Sequence, residues 1–85
     1  MSYRIEIKRS ARKALLALPA YMQRRVGDAI DGLASEPRPP GVRKLIGSDT
    51  LYRVRVGDYR VVYEIHDDRL VIVVVKLGHR REVYR

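Results

Sequence analysis

The chain has 85 residues, no cysteine and a formal net charge of +8, with a pI of about 10.3. Disulfides and thiolate metal sites are therefore excluded, and one domain covering residues 1–85 is expected. The longest apolar run, Leu70 to Val75, is far shorter than the ~20 residues that cross a bilayer, and no apolar leader core stands at the N-terminus, so a reducing cytoplasm and no membrane are expected. The charge favours nucleic acid, an acidic protein partner or an anionic membrane surface. Residues 1–42 carry 8 basic and 4 acidic side chains and residues 43–85 carry 10 and 6. With no basic tail, any binding surface has to be assembled by the fold.

Tyr3 to Lys8 alternates, predicting a half-buried strand with Tyr3, Ile5 and Ile7 inward. Ser10 reads as the N-cap of a helix from Ala11, whose Ala11, Ala14, Leu15 and Leu18 form one apolar stripe. Pro19 ends that helix and suits the first turn of the next. There Met22, Val26, Ala29, Ile30 and Leu33 make a second stripe, with Gly27 and Gly32 expected as close-approach or fraying points. Residues 35–41, SEPRPPG, are a connector, since three prolines forbid a helix. Val42 to Gly47 is expected to form a short edge segment.

Tyr52 to Ile65, YRVRVGDYRVVYEI, predicts two strands around a Gly57-Asp58 turn. A two-residue loop sets Val56 opposite Tyr59, Arg55 opposite Arg60, Val54 opposite Val61 and Arg53 opposite Val62. Alternation then puts Tyr52, Val54, Val56, Tyr59, Val61 and Tyr63 on one face, and Arg53, Arg55, Arg60, Val62 and Glu64 on the other. Opposed like charges are destabilising by a few tenths to ~1 kcal/mol, a cost that folding alone does not require. Either a polyanion site or a solvated face accounts for it.

His66 to Arg69 is a turn, and Leu70 to Leu77 is apolar enough to be a central strand covered on both faces. With Asp67-Asp68 as the turn, Val62 faces Val73 and Arg60 faces Val75. Val71, Val73 and Val75 then floor the arginine face, while Leu70, Ile72 and Val74 join the helices. The predicted class is α+β in the order β-α-α-β-β-β, with two N-terminal helices on one face of a small, mostly antiparallel sheet.

Phosphate loops, dinucleotide fingerprints and zinc-protease motifs are absent, and two scattered histidines do not make a metal site. The convergent set is Arg53, Arg55 and Arg60 with His79, Arg80, Arg81 and Tyr84. Forked guanidinium groups suit phosphates, and an aromatic plane suits a base of single-stranded RNA. Tyr84 supplies such a plane, or packs the C-terminus onto the sheet.

KLIG at 44–47, YRVRVGDYRVVYEI at 52–65 and GHRREVYR at 78–85 resemble the RelE toxins of bacterial toxin–antitoxin systems, within the wider RelE/ParE superfamily. The resemblance covers essentially the whole chain. It implies a ribosome-dependent mRNA endonuclease held in check by a cognate antitoxin. It also implies attack by the substrate's own 2′-hydroxyl, a 2′,3′-cyclic phosphate product, and neither metal nor other cofactor. Carried over by position, the catalytic set is Arg53, Arg55, Arg60, Arg80 and Tyr84, with Lys44 and Arg81 toward RNA. Relatives carry lysines where this chain has Arg53 and Arg55, and one of those lysines is a proposed general base. Arginine does not deprotonate in proteins. Glu64 or His79 is therefore considered for proton transfer. The antitoxin is expected to be an acidic, apolar segment that wraps the toxin. A ParE-like gyrase poison without nuclease chemistry and a plain RNA-binding module are the alternatives.

Overall fold

The computed structural model describes residues 2–83. Strand β1 (Arg4–Ile7) leads into helices α1 (Arg9–Leu16) and α2 (Ala20–Gly32). Strands β2 (Arg43–Lys44), β3 (Leu51–Val56), β4 (Tyr59–His66) and β5 (Val71–His79) follow, and a short helix α3 (Arg80–Val83) comes last. The strands form one mixed sheet in the order β1-β5-β4-β3-β2. Only the β1–β5 pair is parallel.

Both helices cover one face, because each has one apolar stripe and the sheet presents one continuous apolar side. Met22, Val26, Ile30 and Leu33 of the second stripe are buried against Val56, Val61, Tyr63, Ile65, Ile72, Val74 and Leu77. Each such side chain contributes roughly 1.5–3 kcal/mol by leaving water. From the first stripe, Ala11 is buried, while Ala14, Leu15 and Leu18 are half-buried at the margin. Helix α1 starts at Arg9 behind Lys8, with no side-chain cap, so Ser10 is not its N-cap. The reason is that Lys8 still belongs to the sheet: its amide donates to the Val74 carbonyl (2.9 Å) while its carbonyl accepts from Arg12 (2.9 Å). Ser10 is thereby carried into the first turn. Gly32 closes α2, but neither Gly27 nor Gly32 has a neighbour within 4 Å of the Cβ position, so neither is a close-approach point.

The β3–β4 hairpin has the predicted register, including Arg55 opposite Arg60. Gly57 takes φ 61 while Asp58 stays at negative φ, the pattern of a II′ turn with glycine first. The next hairpin departs from expectation. Its loop is four residues, Asp67 to Leu70, because His66 pairs with Val71. Leu70 sits in that loop at φ 54 rather than in the helix-packed layer. A register shift at Val62/Tyr63 then sets Tyr63 opposite Val74 but Val62 opposite Lys76, leaving Val75 as the extra residue of a bulge. Arg60 consequently faces Gly78, not Val75, and Lys76 replaces Val75 on the arginine side. Ile72 and Val74 do join the helix side, where both are wholly buried. Strand β5 is interior, but the middle position belongs to β4, and helices cover β5 on one face only.

The connector is fastened at two points. The buried Tyr63 hydroxyl donates to the Pro37 carbonyl (2.8 Å). Arg38 lies over the Tyr52 ring, 5.1 Å from its centroid, and pairs with Asp67 (2.9 Å), which also accepts from the Tyr3 hydroxyl. Those bonds, Arg38 first, hold the Asp67 carboxyl below its ordinary range.

Candidate nucleic-acid interface

The face turned away from the helices carries the basic cluster. Alternation along β3 directs Arg53 and Arg55 there, and β4 adds Arg60. Strand β2 adds Arg43, paired with Arg53 across the edge. With Gly41 and Val54, these four arginines line an open cavity of about 420 Å³. No acidic side chain lines it. Arg55 and Arg60 stand directly opposed, a placement that brings Cβ atoms within about 5 Å. Partial burial first, then the charges of Arg53, Arg55 and Arg80, lower the proton affinity of Arg60 below its ordinary value. The guanidinium nevertheless stays charged.

Two backbone contacts organise this cluster at the hairpin tip. Arg55 Nε donates to the Gly57 carbonyl (3.1 Å), which turns its guanidinium toward the turn. The Arg80 amide donates to the Asp58 carbonyl (2.9 Å), so α3 begins against the same turn and brings the Arg80 charge to Arg60. Arg55, Arg60 and Arg80 are thus gathered around one turn, and Arg53 lies two residues back from Arg55 along β3. Tyr84, the fifth residue assigned to catalysis, lies outside the described residues.

The remaining candidates separate. Glu64 shares the arginine face but lies 2.9 Å from His66 Nε2. It is four residues from Arg60, ~13 Å along the strand. His79 pairs with Tyr59 and meets its ring edge-on at 5.7 Å, on the helix side of the sheet. Its Nδ1 accepts the Arg81 amide (3.3 Å). The structure therefore does not bring His79 to the arginines: the bulge at Val75 reverses the alternation of β5 beyond it. Arg81 is exposed on α3. Lys44, exposed on β2, lines a second open cavity of about 530 Å³ with Arg43, Leu45, Ile46 and Arg53. Arg43 escaped the sequence reading because the register of a two-residue edge strand depends on a loop whose length carries no clear turn signal.

The profile of the ParE toxin of the type II toxin–antitoxin system parDE matches residues 5–84. The chain belongs to the RelE/ParE toxin superfamily. Among RelE/ParE relatives, RelE1 of Methanocaldococcus jannaschii is 32% identical over all of this chain and 98% of its own length. Toxin RelG of Mycobacterium tuberculosis is 32% identical over all of this chain and 99% of its own. The RelE–RelB complex from Pyrococcus horikoshii contains a chain that superposes with TM-score 0.84 at 41% identity, covering 94% of this chain and 97% of that one. A free mutant of Escherichia coli RelE superposes at 0.81 with 25% identity, over 99% of this chain and 92% of that one. Two helices on one face of a five-stranded mixed sheet are accordingly the RelE-like fold.

Proposed function

We infer that this RelE/ParE member is a type II toxin that cleaves mRNA on the ribosome and is neutralised by an antitoxin. The observation that carries the reading is the cavity lined by Arg43, Arg53, Arg55 and Arg60 without an acidic side chain. The substrate's 2′-hydroxyl attacks the adjacent phosphorus, the O2′–P bond forms, and the P–O5′ bond breaks. The products are a 2′,3′-cyclic phosphate and a 5′-hydroxyl, so the proton lost from O2′ is balanced by one gained at O5′. Between them stands a phosphorane with extra negative charge on its non-bridging oxygens. Arg55, Arg60 and Arg80 meet that charge with fixed guanidinium groups, and Arg53 supports them from the same strand. The only polar side chains lining the cavity are guanidinium groups, which do not give up a proton in proteins, so its contribution is charge stabilisation rather than proton transfer. The antitoxin partner is supported by the RelE–RelB complexes among similar structures. It would be an acidic segment with apolar anchors.

Arg60→Ala tests this. Cleavage of mRNA on programmed ribosomes should fall on the order of 100- to 1,000-fold, the usual effect of removing one transition-state donor. Thermal stability should hold or rise slightly, since the opposition to Arg55 is relieved. A variant that still arrests growth, or that loses activity only by unfolding, overturns the assignment. The ParE profile match favours one second reading, poisoning of DNA gyrase. Loss of supercoiling with intact translation in the same cells would establish it instead.

A further inference from the structure

The arginine face is built in two rows. Arg55 and Arg60 form one across β3 and β4, and Arg43 and Arg53 form the other across β2 and β3. Arg53 and Arg55 are two residues apart on one strand, which separates the rows by ~6.6 Å. Neighbouring phosphates of an extended single strand have a similar separation. The two cavities meet along the second row, since Arg43 and Arg53 line both. Beyond them the second cavity holds Lys44, Leu45 and Ile46, and the Ile46 side chain is fully exposed. The Arg43 side chain makes no hydrogen bond or ion pair among the described residues, so its fork is not committed to holding the fold.

We propose that Arg43 and Arg53 form a second phosphate subsite, which seats the nucleotide next to the one held at Arg55 and Arg60 and leads the strand over the β2 edge. This rests on the RNA-cleaving reading above and adds to it a footprint of two consecutive phosphates. The next base lies against Leu45 and Ile46, because an apolar surface beside a phosphate contact is what a splayed base needs. A single-stranded RNA suits the surface better than an acidic peptide does. The polar side chains of both cavities are donors alone, with no carboxylate, amide or hydroxyl among them to meet the amide groups of a peptide. RNA needs only the phosphate and base contacts.

The test is a set of NMR titrations at low salt with 2′-O-methyl oligonucleotides, which cannot be cleaved by 2′-hydroxyl attack. A dinucleotide carries one phosphate and a trinucleotide two. The unaltered protein should bind the trinucleotide ~10-fold more tightly, and Arg43→Ala should erase that gain while leaving dinucleotide affinity in place, as for loss of one phosphate contact. The slope of log affinity against log salt for the trinucleotide should fall by ~0.7 in the variant. Arg60→Ala should weaken both ligands alike, and Arg43→Lys should restore part of the gain. If Arg43→Ala keeps the full length dependence while Arg60→Ala weakens binding, the second subsite is wrong and the cleavage reading survives. If no oligonucleotide shifts the arginine-face resonances of the unaltered protein while a hexaglutamate peptide does, both the subsite and the RNA reading fall. Thermal unfolding of Arg43→Ala should match that of the parent, as expected for an exposed side chain.

Discussion

Tyr63→Phe isolates one hydroxyl in the middle of the sheet. Tyr63 is wholly buried, stacks on Tyr52 with ring centroids 6.3 Å apart, and donates to the Pro37 carbonyl at 2.8 Å. Phenylalanine keeps the ring packing and loses the bond, which costs about 1 kcal/mol at neutral pH. The same burial pushes the Tyr63 hydroxyl up to about 12 from its ordinary 10. Below pH 10 the group is neutral folded and unfolded, so it adds no pH dependence. Above pH 10 the unfolded chain ionises first and binds fewer protons than the native state, so stability falls as pH rises toward 12. That loss is about 1.4 kcal/mol by about pH 11 and exceeds about 2 kcal/mol by pH 12. Tyr63→Phe lacks it, whereas the other tyrosines, lysines and arginines titrate alike in both proteins. The variant should therefore be the less stable protein at pH 7, equal at about pH 10.7, and the more stable above it. Urea unfolding followed by circular dichroism at several pH values measures the difference. Parallel curves for the two proteins from pH 9 to 12 would refute the account of a buried, bonded hydroxyl.

Val73 and Val74 should respond differently to aspartate. Val74 is wholly buried on the helix side, and an unpaired carboxylate there costs several kcal/mol of a total that small domains hold at ~5–15, so Val74→Asp should lose its cooperative thermal transition. Val73 is half-exposed on the other face, so Val73→Asp should keep that transition in the same calorimetric scan. Gly57→Ala should cost about 1–2 kcal/mol in urea unfolding, because the turn needs φ 61 and the new Cβ would meet Met22 Cε at 3.3 Å. His79→Phe should keep mRNA cleavage on programmed ribosomes near the parental rate, since the ring packs on Tyr59 away from the arginines. A loss like that of Arg60→Ala, without unfolding, would return His79 to the chemistry.

The hairpin illustrates what local pattern can carry. Gly57-Asp58 between alternating residues encodes turn, register and face together, because a two-residue loop admits one pairing and strand side chains have period two. The opposition of Arg55 and Arg60, and with it the centre of the candidate site, was legible for that reason. The helical stripes were legible for a similar one, since i, i+3, i+4 spacing converts directly into a buried face. The Ser10 cap failed because Lys8 is held by Val74, a strand 66 residues away, and that contact starts the helix at Arg9.

The β4–β5 pairing divides cleanly. Its loop is two residues longer than expected, and a shift of two preserves parity, so Val71 and Val73 remain on the arginine side while Ile72 and Val74 remain with the helices. The bulge at Val75 is a shift of one, and one residue reverses every face beyond it. It carries Lys76 to the arginine side and His79 to the helix side, and it sets Gly78 opposite Arg60. The sequence by itself determined the succession of β1, α1, α2, β3, β4 and β5, the two helix stripes and the Arg53, Arg55 and Arg60 face. Only the tertiary structure decided the placement of β1 beside β5, the arrival of Arg43 at the cavity and the removal of His79 from it. The physical reason is range: turns and periodicities are properties of a few consecutive residues, whereas edge pairing and bulges are settled by which distant strands must meet to close the core.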